Sequence, residues 1–171
     1  GRTELVSEFG LSIGRSPLFV HAPSFANALV QNIGGGNTMV FNNAARALLQ
    51  EAGREISVPS HDWWAYQLVS GAGGLIHYDP EPKVLYRQHG ENQIGSNSSW
   101  TARVRRIRMV FRGRFREWNE QFISALESMR HRLAIEHLIT LDHFKVARHQ
   151  RFPFRIISCF RAGIYRQTLF G

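Results

Sequence analysis

Cysteine is nearly absent: Cys159 is the single one in 171 residues. No internal disulfide can form and no thiolate pair can hold a metal, so the chain fits a reducing compartment. The lone thiol reads as a buried small hydrophobe. Long apolar runs are missing too. Nothing approaches the roughly 18 residues of a membrane-spanning helix, so the chain is not expected to cross a bilayer by itself. The opening "GRTELVSEFG" has neither an initiator methionine nor a basic and apolar signal region, and reads as the middle of a longer protein. Acidic residues run out in the C-terminal part, where residues 103–171 hold only 5.

Against these absences, 43% hydrophobic residues are enough to bury a core, which excludes overall disorder and suits one domain or a piece of a larger one. The net charge of +8 is divided unevenly. Residues 1–102 carry 6 Lys/Arg against 8 Asp/Glu, net −2, while 103–171 carry 15 against 5, net +10. Of those 15 basic residues 14 are arginine, whose planar fork favours phosphate-bearing partners such as nucleic acid, anionic lipid or a lipid-linked diphosphate.

Apolar spacing predicts a short helix over Pro23–Ile33, started by Pro23 and Ser24. "GGGN" breaks it, "TMVF" reads as a buried strand, and Asn42 or Asn43 caps a helix that Gly53 ends. A further helix begins at "SHDWW", with Ser60 or His61 as cap, and stops at Gly71, Gly73 and Gly74. "LIHY" and "KVLYRQ" read as extended runs around the "DPEP" turn. Apolar residues at 104, 107, 111, 115, 118, 122, 126, 129 and 133 then predict a long helix, kinked at Gly113, followed by a second over 133–148 and a break at Pro153.

Three features carry chemistry. Asp62 at a helix start lies near unsatisfied amides that favour a carboxylate, which beside a cleft can take a proton from a hydroxyl; equally, it can simply cap the helix. Trp63 and Trp64 offer flat faces and indole N–H groups to a sugar, or fill a core. The "GGG" before Asn37 allows close backbone approach to a substrate, or makes a turn. In "YRQHG", Arg87 and His89 share a strand face and suit diphosphate and a divalent ion respectively, with a surface imidazole as the plain alternative.

Taken in order, "QNIGGGNTMVFN", "HDWWAYQLVSGAGG", "YDPEPKVLYRQHGENQIG" and the terminal "GIYRQTLFG" resemble the C-terminal half of family 2 inverting glycosyltransferases, particularly bacterial rhamnosyltransferase-like enzymes of cell-surface polysaccharide synthesis. The likeness covers residues 20–95 and, more loosely, the tail. It implies an α/β fold: residues 1–99 as the acceptor-side half of a GT-A domain, and residues 100–171 as a helical, arginine-rich region. It implies Asp62 as general base, Asn37, Trp63 and Trp64 at acceptor or donor sugar, Arg87 at the diphosphate and His89 at the metal. His61 stands where many members have glutamate. The implied partners are a nucleotide-sugar donor, a glycan or polyprenyl-diphosphate-linked acceptor, a divalent cation (Mg or Mn) and an anionic membrane surface, at the cytoplasmic inner face of a bacterial membrane. No D-x-D occurs in the sequence. The half of the family that carries this motif, and with it most of the cation and nucleotide contacts, is missing, so the isolated chain is expected to bind donor weakly and transfer little.

Two other readings compete. A metal hydrolase would recruit His61, Asp62, His77 and His89, but no two are spaced one helical turn apart as an HExxH-like pair requires. A module that binds nucleic acid or an anionic membrane without catalysis rests on "RVRRIRMVFRGRFR". The nucleic-acid version leaves the three N-terminal features unused, so nucleic acid is not the expected partner. The plain alternative is a solvated helix face.

Overall fold

The structure is a computed structural model and describes residues 1–88 and 114–167. Its sheet is small and mixed. Strands β1 (Thr3–Val6) and β2 (Ser12–Arg15) form an antiparallel hairpin, closed by the Ser7 N–H on the Leu11 carbonyl (2.8 Å) around Gly10 at φ +82°. Strand β3 (Val84–Arg87) lies parallel to β1 on its other side, Thr3 opposite Val84 and Val6 opposite Arg87, in the order β2-β1-β3. Parallel neighbours need a long crossover, and here it contains helices α1 (Phe25–Ala28), α2 (Asn43–Ala52) and α3 (His61–Gly71).

Each of these helices starts where a short polar side chain can satisfy a first-turn amide. Ser24 Oγ accepts from Asn27 N–H (3.1 Å), Asn42 Oδ1 from Ala45 N–H (2.9 Å) and Ser60 Oγ from Trp63 N–H (3.5 Å). Gly53, at φ +83°, ends α2. Helix α1 stops well short of Ile33, because Gln31 gives its side-chain carbonyl to the Gln167 N–H (2.6 Å) and tertiary bonding replaces another helical turn. "TMVF" is not a strand. Gly36–Thr38 is one turn of 3-10 helix, Val40 is 97% exposed, and no described strand lies alongside to complete a ladder. "LIHY" is likewise unpaired, whereas "KVLYRQ" contains β3.

The C-terminal part is helical: α4 (Arg114–Ser128), a 3-10 turn at Arg130–Arg132, α5 (Ile135–His149) and α6 (Phe154–Arg161). The expected helix over 104–133 therefore breaks after Ser128, while its first part, with Gly113, lies outside the described residues. The break has a tertiary cause. Ala134 N–H donates to the Gly71 carbonyl at the end of α3 (2.9 Å), and Leu133 turns into the core beside it. A Cβ on Gly71 would stand 2.9 Å from both Leu133 Cδ2 and Phe25 Cε2, so only glycine permits this approach.

One hydrophobic core joins Phe25, Trp63, Trp64 and Leu68 to Phe122, Leu126, Met129, Leu141 and Phe144. Residues on both sides of the expected boundary at 99/100 thus share it. Fully burying each large side chain contributes roughly 1.5–3 kcal/mol, so α3 is held by α1 and α2, with apolar residues of α4 and α5 completing the core, rather than by the sheet. The architecture is α/β-like, with helices and a small sheet, and no helix among the described residues is long and apolar enough to cross a membrane.

Candidate active site

Helix α3 places Asp62 in its first turn, half-buried, next to an exposed His61. Asp62 Oδ1 accepts from the Ser60 hydroxyl and from the Trp63 N–H (2.8 Å). Its second oxygen, Oδ2, has no hydrogen-bond partner among the described residues. One oxygen therefore fixes the side chain while the other stays free to receive a proton. Gly36 packs against the same residue, since a Cβ there would lie 3.7 Å from Asp62 Cβ. The fold so brings the glycine turn and the head of the HDWW helix together, and Asn37, exposed, stands next to them.

The two tryptophans are elsewhere. Trp63 is 7% exposed, Trp64 3%. The Trp63 indole N–H donates to the Ala28 carbonyl (2.6 Å), and its ring tilts against Phe122 at 5.0 Å. Neither ring offers a face to a sugar here. The core alternative is the one this burial supports: Trp63 lies between α1 and α4, through Ala28 and Phe122, and Trp64 belongs to the same buried cluster.

Further along α3, Ala65, Tyr66 and Val69 line a cavity of about 530 Å³ shared with Thr38, Met39, Ile76 and His77; Asp62 and Asn37 are near its Gly34–Thr38 wall but do not line it. Its walls are mostly apolar. The Tyr66 hydroxyl is already engaged, accepting from Ser24 N–H (3.0 Å) and donating to Asn27 Oδ1 (3.0 Å), and burial holds the phenol well above its usual pKa. The cavity was not foreseen, because residues from 33–48 and 72–78 meet across α3 only in the folded chain.

Gly1, just ahead of β1, touches the turn through its amino group on Thr38 Oγ1 (3.1 Å), while Arg87 pairs with Val6 at the far end of β1, about 10 Å along the strand from Thr3. His89 lies outside the described residues. Among the described residues no three His, Cys, Asp or Glu side chains converge as a metal site would require, so His61, Asp62 and His77 do not form one.

Residues near the end of the chain buttress the site from behind. Gln167 behaves like a strand neighbour of His21: its Oε1 accepts from His21 N–H (2.9 Å) and its Nε2 donates to the His21 carbonyl (2.7 Å). Tyr165 donates to the Ala22 carbonyl (2.6 Å) and accepts from Ser24 Oγ (3.0 Å), while its own carbonyl accepts from Asn27 Nδ2 (3.2 Å). Asn27, Gln31 and Gln67 complete this buried amide layer behind α3. The signal available in sequence was the pair Asn27 and Gln31, amides four apart in an otherwise apolar stretch, together with the Gln167 of "GIYRQ".

Comparison with known proteins adds one local likeness. Fifty residues of the chain are 38% identical to the dTDP-rhamnosyl transferase RfbG of Shigella flexneri, a match covering 29% of this chain and 17% of that protein. No protein-family model and no solved structure matches. The partial similarity supports a glycosyltransferase-like relationship and a transferase type of function.

Proposed function

We propose that the chain is the acceptor-side part of a GT-A-type inverting glycosyltransferase and that Asp62 is its general base. The observation that carries this reading is the free Oδ2 of a carboxylate pinned through its other oxygen, set against the Gly34–Asn37 turn at the head of a cavity-lining helix face. In the reaction, Asp62 Oδ2 takes the proton from an acceptor hydroxyl as that oxygen forms a bond to the anomeric carbon. The bond from that carbon to the nucleotide diphosphate breaks on the opposite face, which inverts the configuration. A pinned carboxylate keeps the proton acceptor in place without rotamer search, which is the entropic part of the rate gain. Asn37 and the glycine turn border the position of the acceptor hydroxyl.

The likeness to a dTDP-rhamnosyl transferase favours a nucleotide-sugar donor, with a deoxysugar nucleotide of that kind as the first to test. Since the sequence has no D-x-D, the donor nucleotide and its cation are held on this reading by residues outside these 171, and the acceptor is a glycan or a lipid-linked glycan. A divalent ion, when bound there, neutralises the departing diphosphate.

The test is Asp62→Asn in the full-length enzyme. The amide oxygen still accepts from Ser60 and Trp63, so the fold and its melting temperature are retained, while turnover falls by about 10²–10⁴. Near-normal turnover in a folded Asp62→Asn enzyme overturns the assignment.

A further inference from the structure

Helix α6 is amphipathic in the wrong sense for a packed helix. Its polar and small side, Ser158 and Cys159 with Ala162 just beyond, turns toward the body: Ser158 Oγ donates to Gln150 Oε1 (2.5 Å), and burial raises the Cys159 thiol pKa. Its large apolar residues face out. Phe154 is 64% exposed, Ile156 58%, Ile157 45% and Phe160 84%, with Phe152 just before the helix at 78%. Such a concentration of exposed aromatic and branched side chains on eight residues marks a binding surface rather than ordinary surface scatter.

The charges around it choose the partner. Arg151, Phe154, Ile157 and Arg161 follow one another at helical spacing and line a shallow hollow of about 440 Å³, with a guanidinium at each end and apolar side chains between. Neither the Arg151 nor the Arg161 guanidinium has an ion-pair or hydrogen-bond partner among the described residues. After Asp142 the sequence contains no acidic residue at all, so nothing on this part of the chain competes for them. A phosphate-bearing surface with an apolar layer directly beneath it satisfies both kinds of group at once. Duplex nucleic acid would pair the arginines but leave four large apolar side chains in water. A second copy of the helix would cover the apolar residues but bring unpaired arginines against arginines.

We infer that α6, with Phe152 and Arg151 ahead of it, is an interfacial anchor for an anionic lipid bilayer, lying flat with Phe154, Ile156, Ile157 and Phe160 in the acyl boundary and Arg151 and Arg161 at lipid phosphates. The helix is about 12 Å long and lies in the plane of the interface rather than across it. This anchor gives a place in the fold to the membrane surface that the glycosyltransferase resemblance implies, and it uses no residue of the proposed catalytic site, so its test and that of Asp62→Asn fail separately.

Co-sedimentation of the full chain with vesicles tests it, comparing phosphatidylcholine alone with phosphatidylcholine mixed with an equal part of phosphatidylglycerol. Binding is expected to the anionic vesicles and to weaken with salt. Arg151→Gln and Arg161→Gln should each lower the partition constant about fivefold, and Phe154→Ser with Phe160→Ser should lower it roughly tenfold or more. All four side chains are exposed, so circular dichroism of the variants should be unchanged. Equal binding to neutral and anionic vesicles, or no effect of the double Phe variant, overturns the anchor. So does tighter binding to duplex DNA than to anionic vesicles at the same salt, or a dimer in light scattering that Phe160→Ser abolishes while vesicle binding is absent.

Discussion

Trp63→Ala separates a core role from a sugar-contact role for the tryptophan next to Asp62. In the structure the side chain is 7% exposed, donates its indole N–H to the Ala28 carbonyl at 2.6 Å and contacts the Phe122 ring at 5.0 Å. Truncating a buried tryptophan to alanine typically loses about 3–5 kcal/mol, and the Phe122 ring contact adds roughly 0.5–1.5 kcal/mol to what is at stake. The hydrogen bond adds less than it first suggests, because the Ala28 carbonyl also accepts from Gln67 Nε2 at 3.1 Å and is not left unpaired. For a chain of this size each kcal/mol moves the melting temperature by about 2–4 °C, so Trp63→Ala should melt roughly 6–20 °C lower. Trp63→Phe, which keeps an aromatic ring and loses the N–H, should fall between the two. Thermal unfolding followed by circular dichroism measures both, with urea unfolding as a check that the m-value is unchanged. A drop below roughly 2 °C for Trp63→Ala, under one kcal/mol, refutes the core assignment; if that variant also raised the KM for acceptor, the ring would be a sugar contact after all.

Two further outcomes follow from specific bonds. Gln167→Ala removes both side-chain bonds to His21, a loss of about 1–3 kcal/mol if the His21 groups stay dry, and should speed amide exchange over residues 20–31 together with 164–167 while leaving α5 unaffected. Unchanged exchange at both segments contradicts the clasp. The second concerns acid. The Arg130 guanidinium, bonded to Asp142 at 3.0 and 2.7 Å, holds that carboxyl below its usual range, as Arg148 does for Glu120 at 2.8 Å. A depressed native pKa means stability that is complete above the unfolded carboxylate value of about 4 and lost as pH falls through the native one. Asp142→Asn should therefore be less stable than the parent at neutral pH and converge with it in acid, by a small amount that salt reduces further because the pair is partly exposed. A constant difference from neutral to acid pH contradicts that linkage.

Local signals placed α2 and α3 closely, since a cap, an apolar period and a stop are all contained in a dozen residues: Asn42 to Gly53, and Ser60 to Gly71; α5, which has no side-chain cap, followed from its apolar period alone. The same local signal put Asp62 at a helix head, next in order to a glycine turn, and that is where the two meet through Gly36. Sequence alone also determined the charge division, the lack of an internal disulfide and the concentration of arginine in the C-terminal region. What it could not determine were the features set by partners distant in the chain. "TMVF" has the composition of a strand, yet a strand exists only where another edge completes its hydrogen bonds, and β1 took β2 and β3 as its partners instead. The apolar period through 104–133 continues past Ser128, yet the helix ends because the Gly71 carbonyl captures the Ala134 N–H. Two adjacent tryptophans look alike in sequence for a core and for a sugar platform; only the folded chain, with α1 and α4 against Trp63 and the shared core around Trp64, removed both rings from water. Helix α6 shows the converse, because its apolar residues would be read as core by period alone, yet no described element covers Phe154, Ile156 and Phe160, which are 64%, 58% and 84% exposed.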